Sequence, residues 1–386
     1  MLVNGFSTHK TFRMAEFELI RNQWRRLPGI CLPDGGAFQG DFSVDAVGIE
    51  ENQSKKPFGY VLPRGIKQQR VFSTFSNVLQ DEKSLALRYC DLTSDCGVSI
   101  YKLTELDLRV FEKLQMFVHA ESRNDEQQDG DVGLYLRVGK DFDRHYYEYE
   151  IPLKLSTKDS IDEPSTSEKV WPEENMLNFA LDLFIQAKKI RNVEGGSTTQ
   201  DFVLDNTWIT ENIDRLDAEF KSIFIDTLEG GGGRYLPEGH KIKVRGNPNL
   251  GLIKGIQIGL RNISERADTP PEGFCGEVWV NELRVTGLLE RGGLAGLARL
   301  DVQLADLGNF SASGSYSSLG WGALDQKVNE RAKEEVIEYD FASNLELGKF
   351  FPDHWGLRIP FYAQYSKQII NPEFDAYDFD ITVEDE

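Results

Sequence analysis

Residues 298–304 read Ala-Arg-Leu-Asp-Val-Gln-Leu, and after the turn Asp306-Leu-Gly-Asn309 residues 310–317 read Phe-Ser-Ala-Ser-Gly-Ser-Tyr-Ser. Ala298, Leu300, Val302 and Leu304 fall on one parity, against Arg299, Asp301 and Gln303 on the other. Phe310, Ala312, Gly314 and Tyr316 likewise oppose Ser311, Ser313, Ser315 and Ser317. Strict alternation around a tight polar turn is the signature of a β-hairpin. A second pair follows. Tyr339, Phe341, Leu345 and Leu347 alternate with Asp340, Ala342, Asn344 and Glu346, and Leu357, Ile359, Phe361, Ala363 and Tyr365 with Arg358, Tyr362, Gln364 and Ser366.

Each strand has roughly nine residues, which at about 3.3 Å per residue and a tilt near 45° crosses an apolar band of about 25 Å. Aromatic residues gather at the ends, Phe350, Phe351 and Trp355 beside one turn and Tyr316, Trp321 and Tyr365 toward the other end, as two interfacial girdles would. A soluble meander with one wet face has the same period, and soluble antiparallel sheets are the commoner case. Four strands cannot close a barrel, so membrane hairpins here imply a larger whole. The acidic run Asp378 to Glu386 and an opening Met1 to Lys10 without a secretion-signal pattern point the same way.

The 386 residues carry a formal charge of −20, which disfavours nucleic acid or an anionic lipid surface as the main partner. No run of eighteen apolar residues is present to form a spanning helix. Cys90 and Cys96 flank a short loop and could close a disulfide in an oxidising compartment or remain unpaired, while Cys31 and Cys275 have no evident mates.

Three regions follow. Residues 1–53 read as the tail of a preceding β module, with strands near Phe17–Ile20 and Phe42–Ala46 whose partners lie upstream, and the polar stretch 50–57 reads as a boundary. Residues 54–287 read as a jelly-roll-like β-sandwich. Its strands centre on Leu85–Tyr89, Leu114–Val118, Leu134–Val138, Tyr147–Ile151, Leu177–Leu183, Ile256–Leu260 and Val278–Val285, with a short helix near Phe184 to Arg191 and long loops at 153–170 and 195–239. Residues 288–386 read as four strands of an outer-membrane β-barrel. The fold class is therefore all-β and mainly antiparallel: a sandwich followed by two hairpins of a large transmembrane barrel. Short turns at 306–309 and 348–356 lie at one end, and the longer loop 318–338 leaves from the end the sandwich occupies, which places the sandwich outside the cell.

Signals for chemistry are weak. The acidic run 125–131 and the pair Asp141 and Asp143 have calcium-like spacing without the terminal bidentate glutamate, so a solvated acidic turn is the simpler reading. His119, His145, His240 and His354 show no paired spacing. Gly230–Gly233 precedes Arg234-Tyr235 and not Lys-Ser/Thr, so it is no phosphate cradle. With 63 carboxylates, chance pairs are unavoidable and none stands out as a glycosidase pair. The cluster Tyr146-Tyr147-Glu148-Tyr149 reads either as aromatic strand packing or as a sugar-stacking face.

Longer strings are more specific. Gly276-Glu-Val-Trp-Val-Asn-Glu-Leu-Arg-Val285, Leu304-Ala-Asp-Leu-Gly-Asn309, Asn344-Leu-Glu-Leu-Gly-Lys-Phe-Phe-Pro352 and Val170-Trp-Pro-Glu-Glu-Asn175 closely resemble the SprA (Sov) family of Bacteroidetes, the outer-membrane translocon of the type IX secretion system. Phe117–Glu121, Leu134–Gly139, Tyr146–Pro152, Glu16–Trp24 and Tyr60–Pro63 look similar to it as well, so the resemblance covers nearly the whole chain. It implies a segment of a giant barrel, of the class whose largest members have about 36 strands. In such a protein folded cargo crosses a polar lumen and leaves sideways toward a porin-like shuttle partner, a plug closes the periplasmic end, and the function includes gliding motility as well as secretion. No catalytic residue, cofactor or metal is implied.

On that reading Arg299, Asp301, Gln303, Ser311, Ser313, Ser315, Glu346 and Gln364 face the lumen. Leu300, Val302, Leu304, Phe310, Leu345, Leu347, Ile359 and Phe361 face outer-membrane lipid. Two other readings compete: a glycan-binding module of a surface adhesin with Tyr146 or Trp171 as stacking platform, and a secreted hydrolase, which needs two convergent carboxylates in a cleft.

Overall fold

The computed structural model describes residues 24–31, 35–68, 70–72, 77–79, 82–123, 126–157, 164–212, 236–266 and 273–383. The strand expected near Phe17–Ile20 and the loop Gly230–Tyr235 lie outside them. In chain order the first strands are β1 (Arg25–Cys31), β2 (Gly36–Ala37), β3 (Asp41–Gly48), β4 (Arg70–Phe72), β5 (Asn77–Leu79), β6 (Lys83–Leu92), β7 (Cys96–Leu106), β8 (Phe111–Ser122), β9 (Val132–Gly139) and β10 (Tyr146–Pro152). Then come β11 (Leu177–Ala180), the helix Asp182–Val193, β12 (Phe202–Leu204), β13 (Lys241–Arg245), β14 (Ile253–Asn262) and β15 (Phe274–Leu288). Last are β16 (Ala295–Leu304), β17 (Gly308–Ser317), β18 (Glu334–Glu346) and β19 (Pro360–Pro372).

An eight-stranded sheet, β12-β13-β10-β9-β14-β7-β1-β2, packs on a five-stranded one, β11-β8-β15-β6-β3, and all the pairings are antiparallel. Alternation dictates the core: Leu134, Leu136 and Val138 of β9 point inward against Leu114, Met116 and Val118 of β8, all buried. Tyr149 stacks on Phe179 across the two sheets with ring centroids 4.1 Å apart. The helix closes one side. Leu183, Phe184, Ala187 and Ile190 recur at helical spacing and are buried, so Leu181 and Leu183, expected to continue β11, instead cap and open the helix.

Two expectations about organisation are corrected. The strand read at Phe42–Ala46 falls in β3, which pairs with β6 at an edge of the five-stranded sheet, and β1 pairs with β7, so both β1 and β3 are members of the sandwich sheets and not of a separate module. The polar stretch 50–57 is not a linker either. It begins a segment lying on the outer face of the five-stranded sheet, where Phe58 and Tyr60 are buried with Phe117, Trp171 and Trp279. There the Lys55 ammonium reaches Glu121 at 2.8 Å and Glu277 at 2.9 Å and lies 4.6 Å from the Trp279 ring.

The cysteine pairing differs as well. Disulfides join Cys31 to Cys96 and Cys90 to Cys275. Cys90 and Cys96 flank a turn that crosses from the five-stranded to the eight-stranded sheet, so each meets the strand beside it and not the other. Both bridges sit at the end of the sandwich where β15 starts, opposite the end where it runs on toward β16.

The outer face of the eight-stranded sheet carries an ion-pair lattice. Glu148 is fully buried between Arg137 (2.5 Å), Lys243 (3.0 Å) and Arg261 (3.3 Å). Gly259 leaves room for the Tyr135 ring lying across it, which a Cβ would meet at 2.2 Å. Burial opposes ionisation of Glu148, yet the three cations outweigh it and hold its pKa far below the usual carboxylate range. A depressed folded pKa gives stability that is fully present above the unfolded value of about 4.3 and is lost as pH falls below it. Urea titrations from pH 7 down to pH 3 should show the wild-type chain losing stability below about pH 4.5, and Glu148→Gln already destabilised by about 3 kcal/mol at pH 7 with a flatter acid limb. Equal slopes for the two proteins would remove this assignment.

Candidate functional site: a two-faced hairpin sheet clamped to the sandwich

The sheet β16-β17-β18-β19 pairs in register almost without interruption. Leu300 lies opposite Ala312, Ala312 opposite Phe341 and Phe341 opposite Tyr365, so one row across four strands is apolar or aromatic. The neighbouring row is Asp301, Ser311, Ala342 and Gln364, on the other face. This register puts Leu300, Val302, Leu304, Phe310, Leu345 and Phe361 on the first face and Arg299, Asp301, Gln303, Ser311, Ser313, Ser315, Glu346 and Gln364 on the second.

Leu347 and Ile359 lie outside the strands. The Leu347 N–H donates to the Ile359 carbonyl at 2.8 Å in a connection built from two 3-10 turns with Gly356 in the left-handed region, so β19 begins at Pro360 and not at Leu357. The first turn is also tighter than expected. Gly308 already belongs to β17, paired with Leu304 and Leu345, and glycine is required there because a Cβ would meet the Asn344 carbonyl at 2.0 Å.

Polar side chains on the second face bond across strands: Ser315 donates to Glu338 (3.1 Å), Gln368 to Glu338 (2.6 Å) and Gln364 to Asp340 (3.3 Å). A concavity of about 360 Å³ lies on this face, lined by Ser313, Ser315, Glu338, Asp340, Ser366 and Gln368. The first face carries Leu300, Phe341, Phe361 and Tyr365 at 56%, 42%, 43% and 57% exposure. Among the described residues nothing covers either face of this sheet. Among the described residues the outer strands β16 and β19 each pair on one side only.

The strands have 10, 10, 13 and 13 residues, and at a 45° tilt that spans about 23–30 Å. After β19 the chain turns back and docks on the sandwich. Asp380 is buried and accepts hydrogen bonds from the Tyr147 hydroxyl (2.6 Å) and the Leu250 N–H (2.7 Å), with the Lys188 ammonium 3.3 Å away. Lys188 also contacts Asp378 (2.6 Å) and donates to the Pro248 carbonyl (2.8 Å). Burial pushes the Asp380 carboxyl up, against the pull of Lys188, the Tyr147 hydroxyl and the Leu250 N–H. Beside it, Arg109 stacks 4.2 Å from the Phe374 ring and donates to the Phe379 carbonyl at 3.1 Å. Lys333, one residue before β18, pairs with Asp107.

With the architecture in view, the comparison with protein families is decisive: the SprA N-terminal family, described as motility related/secretion protein, matches residues 1–386. The chain belongs to the SprA family. No curated protein matches it. Membership makes it a secretion- and motility-related protein of the cell envelope.

In this SprA-family chain the other candidate residues are engaged in structure. Tyr146 is buried under the Arg137 guanidinium, 3.8 Å away, and donates to Asp201 at 2.7 Å. Trp171 is buried and its indole N–H donates to the Val61 carbonyl at 2.7 Å. Neither offers a face to a sugar, which corrects the stacking-platform reading.

In the acidic turn Asp125 lies outside the described residues, Asp131 accepts from Nε and Nη2 of Arg266 (2.9 and 2.7 Å), and Asp129 caps the Leu155 N–H at 2.8 Å. Asp141 accepts three consecutive backbone N–H groups, from Asp143, Arg144 and His145. Among the described residues the tightest grouping of metal-ligand types is Cys90, Asp91 and Cys275, whose two sulfurs are bonded to each other. His119 is buried, with Nδ1 2.7 Å from the Val170 carbonyl, and His240 is 3.0 Å from the Tyr149 hydroxyl. Of the clamp residues, sequence patterning takes in Asp378 and Asp380 only as part of an acidic run and does not mark Lys188. A lone lysine one turn from Phe184 on the buried stripe of the helix was the available signal, since a buried cation requires an anion.

Proposed function

We propose that the chain is part of the wall and roof of an outer-membrane protein-translocation pore, the type IX secretion translocon, exporting folded cargo through a polar lumen. The observation that carries this reading is a four-stranded sheet with an exposed apolar face, an exposed polar face and two edge strands that pair on one side only among the described residues. Such a sheet is not stable alone in water, and lipid on one side with further strands at both edges would satisfy it. The two disulfides support an oxidising compartment, which fits a sandwich on the extracellular side. The chain's part is passive: it lines and roofs a conduit, takes no cofactor or metal and performs no catalysis, and a porin-like shuttle and a plug protein are its proposed partners.

The test is site-specific photo-crosslinking in secreting cells, with the probe at Ser313 on the polar face or at Ala312 beside it on the apolar face. Cargo should be captured from Ser313 and not from Ala312. Capture from both positions alike, or from Ala312 alone, would overturn the lumen assignment.

A further inference from the structure

Where the hairpin sheet meets the sandwich, a cavity of about 80 Å³ is lined by Arg109, Arg291, Arg331 and Lys333. They arrive from the β7–β8 turn, the β15–β16 tether and the long loop before β18. Two carboxylates answer them. Asp107 takes Arg109 (3.0 and 2.8 Å) and Lys333, and Glu373 takes Arg291 at 2.5 Å. Arg331 pairs with no carboxylate among the described residues. Its Nη1 donates to the Arg291 carbonyl at a long 3.4 Å, and its Nε is buried without a hydrogen-bond partner.

A buried guanidinium N–H left unpaired is costly, and the native remedy is an acceptor. In a chain of charge −20, a cavity where four cations meet two carboxylates is the reverse of the average surface. Its depth is informative too. Lys333 and Glu373 lie just past the ends of β18 and β19, beyond Ile337 and Ile369, the last row of the apolar face. On the outer-membrane reading, that is the level of lipid head groups.

We propose that this junction cavity binds a phosphate group, with Arg331 as the principal donor and Arg109, Arg291 and Lys333 completing the shell. A tetrahedral oxyanion accepts several N–H donors at once and matches the guanidinium fork, and basic pockets beside membrane spans hold phosphorylated head groups in this way. The phosphate can come from a lipid head group, which rests on the membrane reading above, or from free solution.

The experiment uses the whole chain in neutral detergent micelles. Inorganic phosphate binding is followed by phosphorus NMR line broadening, then repeated in micelles doped with phosphatidic acid or with phosphatidylcholine. Saturable phosphate binding is expected, weakened at least tenfold in Arg331→Ala and tightened severalfold in Asp107→Asn, which removes a competing anion. The tightening cannot arise from misfolding. Displacement of phosphate by phosphatidic acid and not by phosphatidylcholine identifies a lipid source; no displacement by either leaves the site standing for soluble phosphate and removes the lipid source. Absence of saturable binding, or binding indifferent to both substitutions, overturns the site, and because that arm needs no bilayer it does so independently of the membrane reading.

Discussion

Val302→Lys should abolish or severely impair membrane assembly of this protein, while Gln303→Lys, one residue along, should leave it intact. Val302 lies opposite Phe310 on the apolar face, one row beyond Leu304 and one before Leu300, so on the proposed outer-membrane reading a lysine there would stand in the hydrocarbon band. A charge on a barrel's lipid face costs about 2–4 kcal/mol at the midplane and less toward the interface that Val302 approaches, against nearly nothing on a watered lumen wall, so Leu300→Lys at the strand centre should have the larger effect. Gln303 lies opposite Asn309 on the polar face, where another cation meets the carboxylate-rich row system of Asp301, Asp340 and Glu338. Heat-modifiable mobility after membrane extraction reads the difference. Equal loss from both substitutions would mean that the two faces do not meet different solvents.

The second large effect should come from Lys188→Met. Lys188 is buried with Asp378, Asp380 and the Pro248 carbonyl, and removing it strands the Asp380 carboxylate beneath the sandwich. An uncompensated buried charge costs about 3–5 kcal/mol, enough to release the segment 373–383. Hydrogen exchange in that segment should rise at pH 7, and Lys188→Met/Asp380→Asn should recover most of the protection. Because burial already pushes the Asp380 carboxyl up, acidification should also re-dock the segment in the single variant: the protonated acid needs no cation, and that stabilisation is lost as pH rises. Unchanged exchange in Lys188→Met would show that the ion pair does not hold the segment.

The parts of the fold that were legible in the sequence were those set by a two-residue period. Leu134, Leu136 and Val138, or Phe341 against Asp340, declare their faces because each side chain's environment is local to its strand. What the sequence concealed depends on contacts between distant segments. Cys90 and Cys96 are near in sequence yet belong to different sheets, and β1 finds β7 across 65 residues of chain, a separation that no local pattern encodes. Strand ends were also hidden. Leu347 and Ile359 keep the alternation, but Gly348, Pro352 and Gly356 impose turns that interrupt the ladder. For the candidate site, the two faces could be read in advance and the clamp could not, since Asp378 and Asp380 look like any acidic tail until Lys188 is seen beneath them.

The sandwich grips the hairpin sheet at both margins: β15 feeds β16 through a short tether, and the segment after β19 is buried beside Tyr147 and Leu250. A ribbon whose first and last strands are both fastened at the same end to one block cannot spread at that end without tearing one fastening loose. On the proposed pore reading, a wall that parts sideways to discharge cargo would then open at an edge of this sheet or beyond it and not among these four strands, and the stretch from Ala295 to Pro372 would serve as the stationary jamb.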